Sequence, residues 1–216
     1  MKLRTIWIII FSVLIIDQAL KIWVKTSMGY GEQIPLLGSW FRLLFIENEG
    51  MAWGWKFGGE FGKLALTLFR LVAVAFGTWF IFKNYNNPKY HKGFFVCVAL
   101  MYAGAAGNLI DSIFYGVIFA KSGYGLPLAT MFPPEGGYAT LFHGKVVDML
   151  YMPIIENKVL PEWIPIWGGE RFTFFSPIFN IADASISLSI IFILIFQKKF
   201  FKETKETKKV QQEKLA

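Results

Sequence analysis

Four aspartates lie within or beside strongly apolar stretches of this sequence: Asp17, Asp111, Asp148 and Asp183. Two carboxylates held a few ångströms apart share a proton, so that one acts as a general base and the other as a general acid. Such a pair can activate water against a peptide carbonyl and protonate the leaving amine. Carboxylates inside a membrane can instead relay protons. Peptide hydrolysis and proton-coupled transport are therefore the two chemistries to separate.

Other catalytic and metal-binding patterns are missing from the sequence. The two histidines, His91 and His143, do not form an HExxH pattern, and Cys97 is the single cysteine, so we expect no metal. The sequence also has no Gly-x-Ser-x-Gly nucleophile motif and no phosphate-binding loop of the Walker type, and we expect no cofactor. The aspartates are thus the main candidates for chemistry.

The elements that carry the aspartates are strongly apolar. Hydrophobic residues make up 55% of the chain and aromatic residues 18%, which is richer than a soluble domain of this size usually carries. A bilayer span needs roughly 20 apolar residues, and four runs qualify, at about 5–24, 64–83, 94–118 and 178–197. The sequence therefore predicts an all-α membrane protein, a bundle of four transmembrane helices.

The distribution of charge predicts how these helices are oriented. The formal net charge is +7, but the basic residues gather at helix ends and in short loops, so we expect no nucleic-acid partner. Cytoplasmic loops carry an excess of lysine and arginine. This rule places both termini and the 84–93 turn in the cytoplasm, with the 25–63 and 119–177 segments outside. The lysine-rich 202–216 segment is then a cytoplasmic tail that follows a single domain at 1–201.

Counting along the predicted helices places the aspartates at a similar depth. With a rise of about 1.5 Å per residue, Asp17 lies about 18 Å from the cytoplasmic side and Asp111 about 25 Å. Asp183 lies about 8 Å inside the outer end of the fourth helix. Asp148 reaches the same level from the short apolar segment KVVDMLYMPII of the outer loop. We therefore expect the carboxylates to converge in a layer just below the outer face of the membrane.

Polar neighbours accompany the aspartates at helical spacing. Asp17 and Lys21 are four residues apart in DQALK, a spacing at which a carboxylate and an ammonium pair, and a structural role is the simplest interpretation. Three-residue spacings recur in the pairs Asn108–Asp111 and Asn180–Asp183. Small residues in GAAGNLID, such as Gly104 and Gly107, allow another helix to approach closely. These polar groups can therefore be packing contacts as well as site residues.

The first outer loop contains more than a linker. The stretch GSWFRLLFI is typical of a short strand, and the turn-forming stretch ENEGMAWGW follows it. The tryptophans Trp40, Trp53 and Trp55 suit the membrane interface, and an aromatic belt explains them adequately. We therefore expect a small β structure on the outer face.

Five short motifs resemble, in their order and membrane positions, those of lipoprotein signal peptidases, also called signal peptidase II. They are DQALK (17–21), NEGMAW (48–53), GAAGNLID (104–111), KVVDM (145–149) and FNIAD (179–183). The resemblance implies an aspartic endopeptidase of the bacterial inner membrane that removes signal peptides from prolipoproteins, cleaving before a diacylglyceryl-modified cysteine. It also implies contact with membrane lipid, inhibition by globomycin-type cyclic peptides and an active site towards the periplasmic leaflet.

The same resemblance assigns roles to individual residues. It makes Asp148 and Asp183 the catalytic pair. The residues that it expects to shape the pocket and hold the substrate are Asn48, Gly50, Asn108, Asp111 and Asn180, supported by Asp17 and Lys21. It also implies a four-helix bundle with a small β cradle and extended loops on the outer face, the cradle being formed by 36–57.

The sequence departs from the family pattern at two points. The arginine that usually follows the aspartate of GNLID is Ser112 here. Candidates to replace it are Lys121, Lys145 and Arg171. The outer loop is also longer than the family commonly shows, and we interpret 119–145 and 152–177 as insertions, which a surface loop tolerates.

Two other functions fit parts of the sequence. A proton-coupled transporter or channel uses intramembrane carboxylates, but it usually shows internal repeats and broken helices near the midplane, and neither is evident. A non-catalytic scaffold that binds lipid through its aromatic loops predicts that conservative changes at the aspartates are harmless. The substitution Asp183→Asn therefore separates the scaffold from the peptidase.

Overall fold

The computed structural model of the chain describes residues 1–38, 40–49, 59–163, 165, 168–174 and 176–201, apart from the side chain of Asn157. The predicted site residue Gly50 and the predicted tail at 202–216 lie outside the described residues. Residues 50–57 of the expected cradle segment also lie outside them.

Three helices are long and apolar enough to cross a membrane, and they match the first three predicted spans. They are α1 (Leu3–Ser27), α2 (Gly59–Asn84) and α3 (Lys92–Ile110). α3 continues through a π-helical turn, Asp111–Tyr115, into Gly116–Ile118, so that the whole segment has 27 residues. Each of the three exceeds the roughly 20 residues that a bilayer span needs.

The fourth helix is shorter than the sequence predicted. Ile178–Phe179 form strand β6, and α4 spans Ile181–Ile195, which is 15 residues rather than the predicted 178–197. The predicted start was wrong because hydropathy does not register Asn180, whose side chain accepts a hydrogen bond from a backbone N–H of the first turn and so caps the helix. A four-residue helix, α5 (Gln197–Phe200), follows.

Four strands form an antiparallel sheet in the order β1-β2-β3-β6. The first three are β1 (Gln33–Leu37), β2 (Phe41–Asn48) and β3 (Val146–Tyr151). The strand predicted in GSWFRLLFI is present as β2. Ile46 of β2 pairs with Asp148 of β3, and β6 pairs with the far end of β3 before the chain enters α4. The sheet therefore fixes Asp148 beside the start of the fourth helix.

A second, two-stranded antiparallel sheet lies within the later of the two inserted stretches. It consists of β4 (Ile155–Val159) and β5 (Arg171–Phe174). An ion pair ties it to the main sheet, since Arg42 Nη2 lies 2.5 Å from Glu156 Oε2. The insertion therefore folds as a hairpin attached to β2.

Lys25 joins the C-terminal end of α1 to the sheet. Its buried ammonium contacts the carboxylate of Glu47 on β2 and Ser122 Oγ, the latter at 2.8 Å. It also lies 5.4 Å from the ring centroid of Phe119 and 5.1 Å from that of Tyr138. A buried cation needs a paired anion and further polar or aromatic partners to offset its lost hydration. This cluster therefore holds α1, β2 and the stretch after α3 together.

The small residues of α3 let its neighbours approach closely, as the sequence predicted. A Cβ atom added at Gly104 would lie 2.3 Å from the backbone oxygen of Ala182 on α4. One added at Gly107 would lie 2.7 Å from Asp17 Oδ2 on α1. Both distances are shorter than van der Waals contact, so α3 packs between α1 and α4 only because these positions are glycine.

Candidate active site

A buried lysine joins two of the four aspartates. Lys21 Nζ lies 3.0 Å from Asp17 Oδ2 and 2.9 Å from Asp111 Oδ2, and all three side chains are at most 1% exposed. The predicted pairing of Asp17 with Lys21 is confirmed, and the structure adds Asp111 from α3 to it. One ammonium between two carboxylates leaves one net negative charge in this cluster, so further donors are needed to support it.

Gln18 supplies such donors, although the sequence analysis did not single it out. Its Nε2 lies 3.2 Å from Asp17 Oδ2 and 3.0 Å from Asp111 Oδ1. Tyr115 OH in turn donates to Gln18 Oε1 at 3.1 Å. The signal was present within DQALK, but a glutamine next to an aspartate on a helix does not usually face the same side as it. The contact depends on where α3 lies.

Asp17 reaches beyond this cluster to the start of α4. Its Oδ1 accepts the backbone N–H of Ala182 at 2.9 Å. The first N–H groups of a helix have no partner within the helix, and a carboxylate placed there is also favoured by the helix dipole. Asp17 therefore anchors the N-terminus of the helix that carries Asp183, which agrees with its predicted structural role.

Asn180 contacts both Asp148 and the backbone of Asp183. Its Nδ2 lies 2.7 Å from Asp148 Oδ1, and its Oδ1 accepts the backbone N–H of Asp183 at 2.9 Å. Nδ2 also lies 3.2 Å from Asn108 Oδ1 and 3.3 Å from the carbonyl oxygen of Val147. A completely buried amide with this many partners has a fixed orientation. It sets the placement of one carboxylate relative to the other.

Asn108 continues the network from Lys21 to Asp183. Its Oδ1 accepts from Lys21 Nζ at 3.0 Å, and its Nδ2 donates to Asp183 Oδ1 at 2.7 Å. Because the lysine occupies the carbonyl side, the amide group must present its donors towards Asp183 and not its acceptor. The predicted spacing of Asn108 and Asp111 on one face is thus used by a single polar network.

Asp148 is held on both oxygens in the middle of the sheet. Asn180 donates to one oxygen and Asn48, at the end of β2, donates to the other. The side chain is 1% exposed. Burial, followed by the nearby charge of Asp183, raises the pKa of Asp148 to about 8. Asp148 therefore carries a proton at neutral pH.

Asp183 has a different environment from Asp148. It lies in the first turn of α4, is partly exposed, and accepts a hydrogen bond from Asn108. Two carboxyl groups close together in different surroundings are the arrangement that general acid–base chemistry requires. Both lie where β3 meets the start of α4.

The second helix contributes a polar face that the sequence analysis missed. Lys63, Thr67 and Arg70 are spaced at i, i+4 and i+7 in an otherwise apolar helix, a spacing that puts them on one side. Lys63 Nζ donates to the carbonyl oxygen of Glu49 at 2.8 Å, and Thr67 Oγ1 donates to that of Phe142 at 3.0 Å. The signal that would have found this face is helical periodicity applied to basic residues as well as to carboxylates.

Arg70 is the side chain found against Ser112. Its Nη1 donates to Ser112 Oγ at 2.9 Å. The sequence analysis had offered three other residues in place of the family arginine. Of these, Lys121 and Arg171 are exposed and Lys145 is half-buried.

The described residues contain no group of three or more His, Cys, Asp or Glu side chains arranged to hold a metal ion. The predicted site residues that the structure describes all belong to one connected region. They are Asp17, Lys21, Asn48, Asn108, Asp111, Asp148, Asn180 and Asp183.

Comparisons with known proteins all indicate the same family. A family model described as signal peptidase (SPase) II matches residues 9–199. A lipoprotein signal peptidase of Porphyromonas gingivalis is 48% identical over 187 residues, which cover 87% of this chain and 80% of the relative. A lipoprotein signal peptidase of Amoebophilus asiaticus is 37% identical over 183 residues, which cover 84% of this chain and 72% of the relative.

A solved structure has the same fold. It is a bacterial membrane enzyme determined by the in meso method at 2.3 Å resolution, 25% identical, with a TM-score of 0.56. The similarity covers 93% of this chain and 94% of that one. With a family model that spans most of the chain and a relative at 48% identity, the chain belongs to the signal peptidase II family.

Proposed function

We propose that this signal peptidase II is an aspartic endopeptidase that removes signal peptides from diacylglyceryl-modified prolipoproteins by cleaving before the lipidated cysteine. Asp148 and Asp183 are the catalytic pair in this proposal. The observation that carries it is the position of Asn180, which donates to the Asp148 carboxyl at 2.7 Å and caps the helix that presents Asp183. Membership of the family supplies the class of substrate.

The mechanism assigns one proton role to each carboxyl group. Asp183, as the base, takes a proton from a water molecule, and the water oxygen attacks the carbonyl carbon of the scissile peptide bond. Asp148, protonated at neutral pH because its pKa is raised to about 8, gives its proton to the carbonyl oxygen. The product of this step is a neutral tetrahedral diol.

Collapse of the diol returns both groups to their starting states. The carbon–nitrogen bond breaks, and the leaving nitrogen takes the proton that Asp183 received from water. Asp148 recovers its proton from one hydroxyl of the diol as the new carboxyl group forms. Atoms and protons balance over the two steps, and no metal or covalent intermediate is required.

The surrounding residues act on the orientation of this pair. Asn48 and Asn180 donate to the two oxygens of Asp148, and Asn108 donates to Asp183. Lys21 Nζ donates to the side-chain carbonyl oxygen of Asn108 and so fixes the orientation of that amide. Because reaction requires near-contact geometry, small changes in these contacts are expected to lower turnover strongly. Gly50 retains its predicted role in the substrate pocket as part of this proposal.

The proposed position in the membrane follows from the helices. In the proposed topology, four helices span the inner membrane and both termini lie in the cytoplasm. The main sheet, β1-β2-β3-β6, then lies on the periplasmic side and forms the cradle. A lipidated cysteine keeps its acyl chains in the outer leaflet and its peptide bond near the interface, where Asp148 and Asp183 would meet it. The 1–201 segment forms one domain, and the lysine-rich 202–216 tail lies in the cytoplasm near anionic lipid.

A gel-shift cleavage assay in detergent tests the proposal. Wild type, Asp148→Asn and Asp183→Asn are compared on a diacylglyceryl-modified prolipoprotein and on the unmodified precursor, with Glu135→Gln, which changes an exposed carboxylate, as a matched control. We expect wild type and the control to cleave the lipidated substrate, and both aspartate variants to lose roughly a hundredfold or more in rate. Inhibition by a globomycin-type peptide is expected as well.

Two outcomes would overturn this assignment. Wild-type rates for a folded Asp183→Asn variant would remove Asp183 from the mechanism. Failure of folded wild type to cleave the lipidated substrate would favour proton-coupled transport, which proton-flux measurements in vesicles would then test.

A further inference from the structure

The second helix, α2, carries an arginine that faces the site from the membrane. Arg70 lies 11 residues from the outer end of a helix of 26 residues, and a charged side chain is strongly disfavoured within a bilayer unless it faces the protein interior. The neighbouring positions Leu68, Phe69, Leu71 and Val72 are exposed apolar side chains that suit lipid contact. Arg70 thus belongs, with Lys63 and Thr67, to the polar face of a lipid-facing helix, and it points inwards.

A chain of hydrogen bonds connects Arg70 to one of the proposed catalytic carboxylates. Arg70 Nη1 donates to Ser112 Oγ at 2.9 Å, and Ser112 Oγ donates to the backbone oxygen of Asn108 at 2.9 Å. The side chain of Asn108 then donates to Asp183 Oδ1 at 2.7 Å. Ser112 and Asn108 are buried, Ser112 completely, whereas Arg70 and Asp183 at the two ends of the path are half-buried.

The charges around Arg70 explain why it stays in this position. The carboxylates that act on its guanidinium are those of Asp183, Asp111 and Asp148, with Asp183 the largest contribution. Lys21, the other cation of the network, is already placed between Asp17 and Asp111. Lys21 also acts on Asp148, and Arg70 interacts most strongly with Asp183, so α2 supplies a second cation to the proposed catalytic pair.

We propose that Arg70 is a positioning residue of the active site, which orients Asp183 through Ser112 and Asn108 and balances the negative charge of the catalytic pair. This inference rests on the proposed function. It also accounts for Ser112, because a small hydroxyl residue at that position is what allows a guanidinium from another helix to reach α3. Ser112, at the position where the family pattern has an arginine, thus receives a guanidinium from α2 instead.

Kinetics of four variants test this role. Arg70→Gln, Arg70→Lys, Ser112→Ala and the double variant Arg70→Gln/Ser112→Ala are assayed on the lipidated prolipoprotein. Lys83→Gln, which removes a cation from the cytoplasmic end of the same helix, is the matched control. We expect Arg70→Gln to lower kcat by about tenfold to a hundredfold with KM changed less than threefold, since misplacement by about 1 Å can have an effect of this size.

Arg70→Lys and the double variant distinguish a positioning role from a purely structural one. Arg70→Lys keeps the charge without the planar fork, so its kcat should lie between those of wild type and Arg70→Gln. The kcat of the double variant should be at most about twofold lower than that of Arg70→Gln, because the effects of residues that act through one path are not additive. The midpoint of thermal unfolding is measured for every variant, so that changes in kcat are compared only among folded proteins.

Three results would overturn the inference. Wild-type kcat for Arg70→Gln would remove Arg70 from the site, and a raised KM with kcat unchanged would make it a substrate-binding group instead. Fully multiplicative losses in the double variant would show that it does not act through Ser112. None of these results contradicts the proposed function as long as wild type cleaves the lipidated substrate and Asp183→Asn does not. Failure of the inference about Arg70 can therefore be distinguished from failure of the proposed function.

Discussion

The side-chain amide of Asn180 donates to Asp148 Oδ1 at 2.7 Å. The same side chain caps α4 through its carbonyl oxygen, so one residue serves both the geometry of the proposed catalytic pair and the start of the helix. These two roles can be separated, because serine is also a good N-cap residue but cannot reach the carboxyl as an amide donor does.

Replacing Asn180 by serine and by alanine separates the two roles by experiment. Both variants lose the donor to Asp148, so we expect cleavage to fall by about tenfold or more in each. Only alanine also loses the cap, and it should be less stable than serine by about 1 kcal/mol. Cleavage rates and thermal unfolding in detergent measure the two effects. Wild-type cleavage by Asn180→Ser would show that its amide does not matter to Asp148.

The raised pKa of Asp148 predicts a loss of activity in alkali. This carboxyl has a pKa of about 8 in the folded protein instead of 3.8, and in the proposed mechanism it must be protonated. We therefore expect kcat/KM to fall as pH rises through about 8. The rate of cleavage measured between pH 6 and about 9.5 checks this expectation. A rate that keeps rising above this pKa would assign the acid role elsewhere.

The same shift predicts how stability changes with pH. Between 3.8 and about 8 the folded state holds a proton on Asp148 that the unfolded state has released. Stability from this group therefore falls as pH rises through that window and is level above it. Asp148→Asn should lack this slope, and thermal unfolding of both proteins across the window measures it. Parallel curves for the two proteins would contradict the assignment.

Removing Lys21 should destabilise the protein more than removing the whole charged cluster. Lys21→Met leaves Asp17 and Asp111 buried without their shared cation, a change expected to cost about 3–5 kcal/mol. The triple variant Lys21→Met/Asp17→Asn/Asp111→Asn removes the uncompensated charge and should recover part of that loss. Chemical unfolding in mild detergent compares them. If the triple variant were the less stable protein, the charges themselves would not be the source of the effect.

Replacing Gly144 is predicted to lower the stability of the protein, because two backbone segments approach each other closely there. A Cβ atom would lie 2.1 Å from the carbonyl oxygen of Asp111 and 2.9 Å from the backbone nitrogen of Gly116. Neither atom can rotate away, so Gly144→Ala should destabilise by about 1–3 kcal/mol and disturb the π-helical turn. Gly29→Ala is the matched control, since its nearest contact is at 3.5 Å. Equal unfolding midpoints for the two variants would refute the steric argument.

Local patterns predicted the parts of the site that depend on one element. The pairing of Asp17 with Lys21 follows from helical spacing, and the close packing at Gly104 follows from the run of small residues. Three membrane helices follow from apolar runs that need a non-aqueous surrounding. These features depend on the residues within about one helical turn, which a sequence displays directly.

Contacts between elements could not be predicted in the same way. Asn180 touches groups on α3, β3 and α4, and which of its atoms meets which partner depends on how three elements pack. Arg70 reaches Ser112 across 42 positions of sequence. Ile178 and Phe179, which the predicted fourth span included, form β6 because they pair with β3. Tertiary packing, which periodicity does not encode, decides all three.

The shortness of α4 has a consequence for the surrounding lipid. Fifteen residues form a helix of about 22 Å, whereas the hydrocarbon core of a bilayer is about 30 Å thick. A bilayer meets a short apolar segment by thinning around it. In the proposed four-span topology, the headgroup layer should therefore dip towards the proposed catalytic pair beside α4, and bilayers of shorter acyl chains should favour cleavage over those of longer chains.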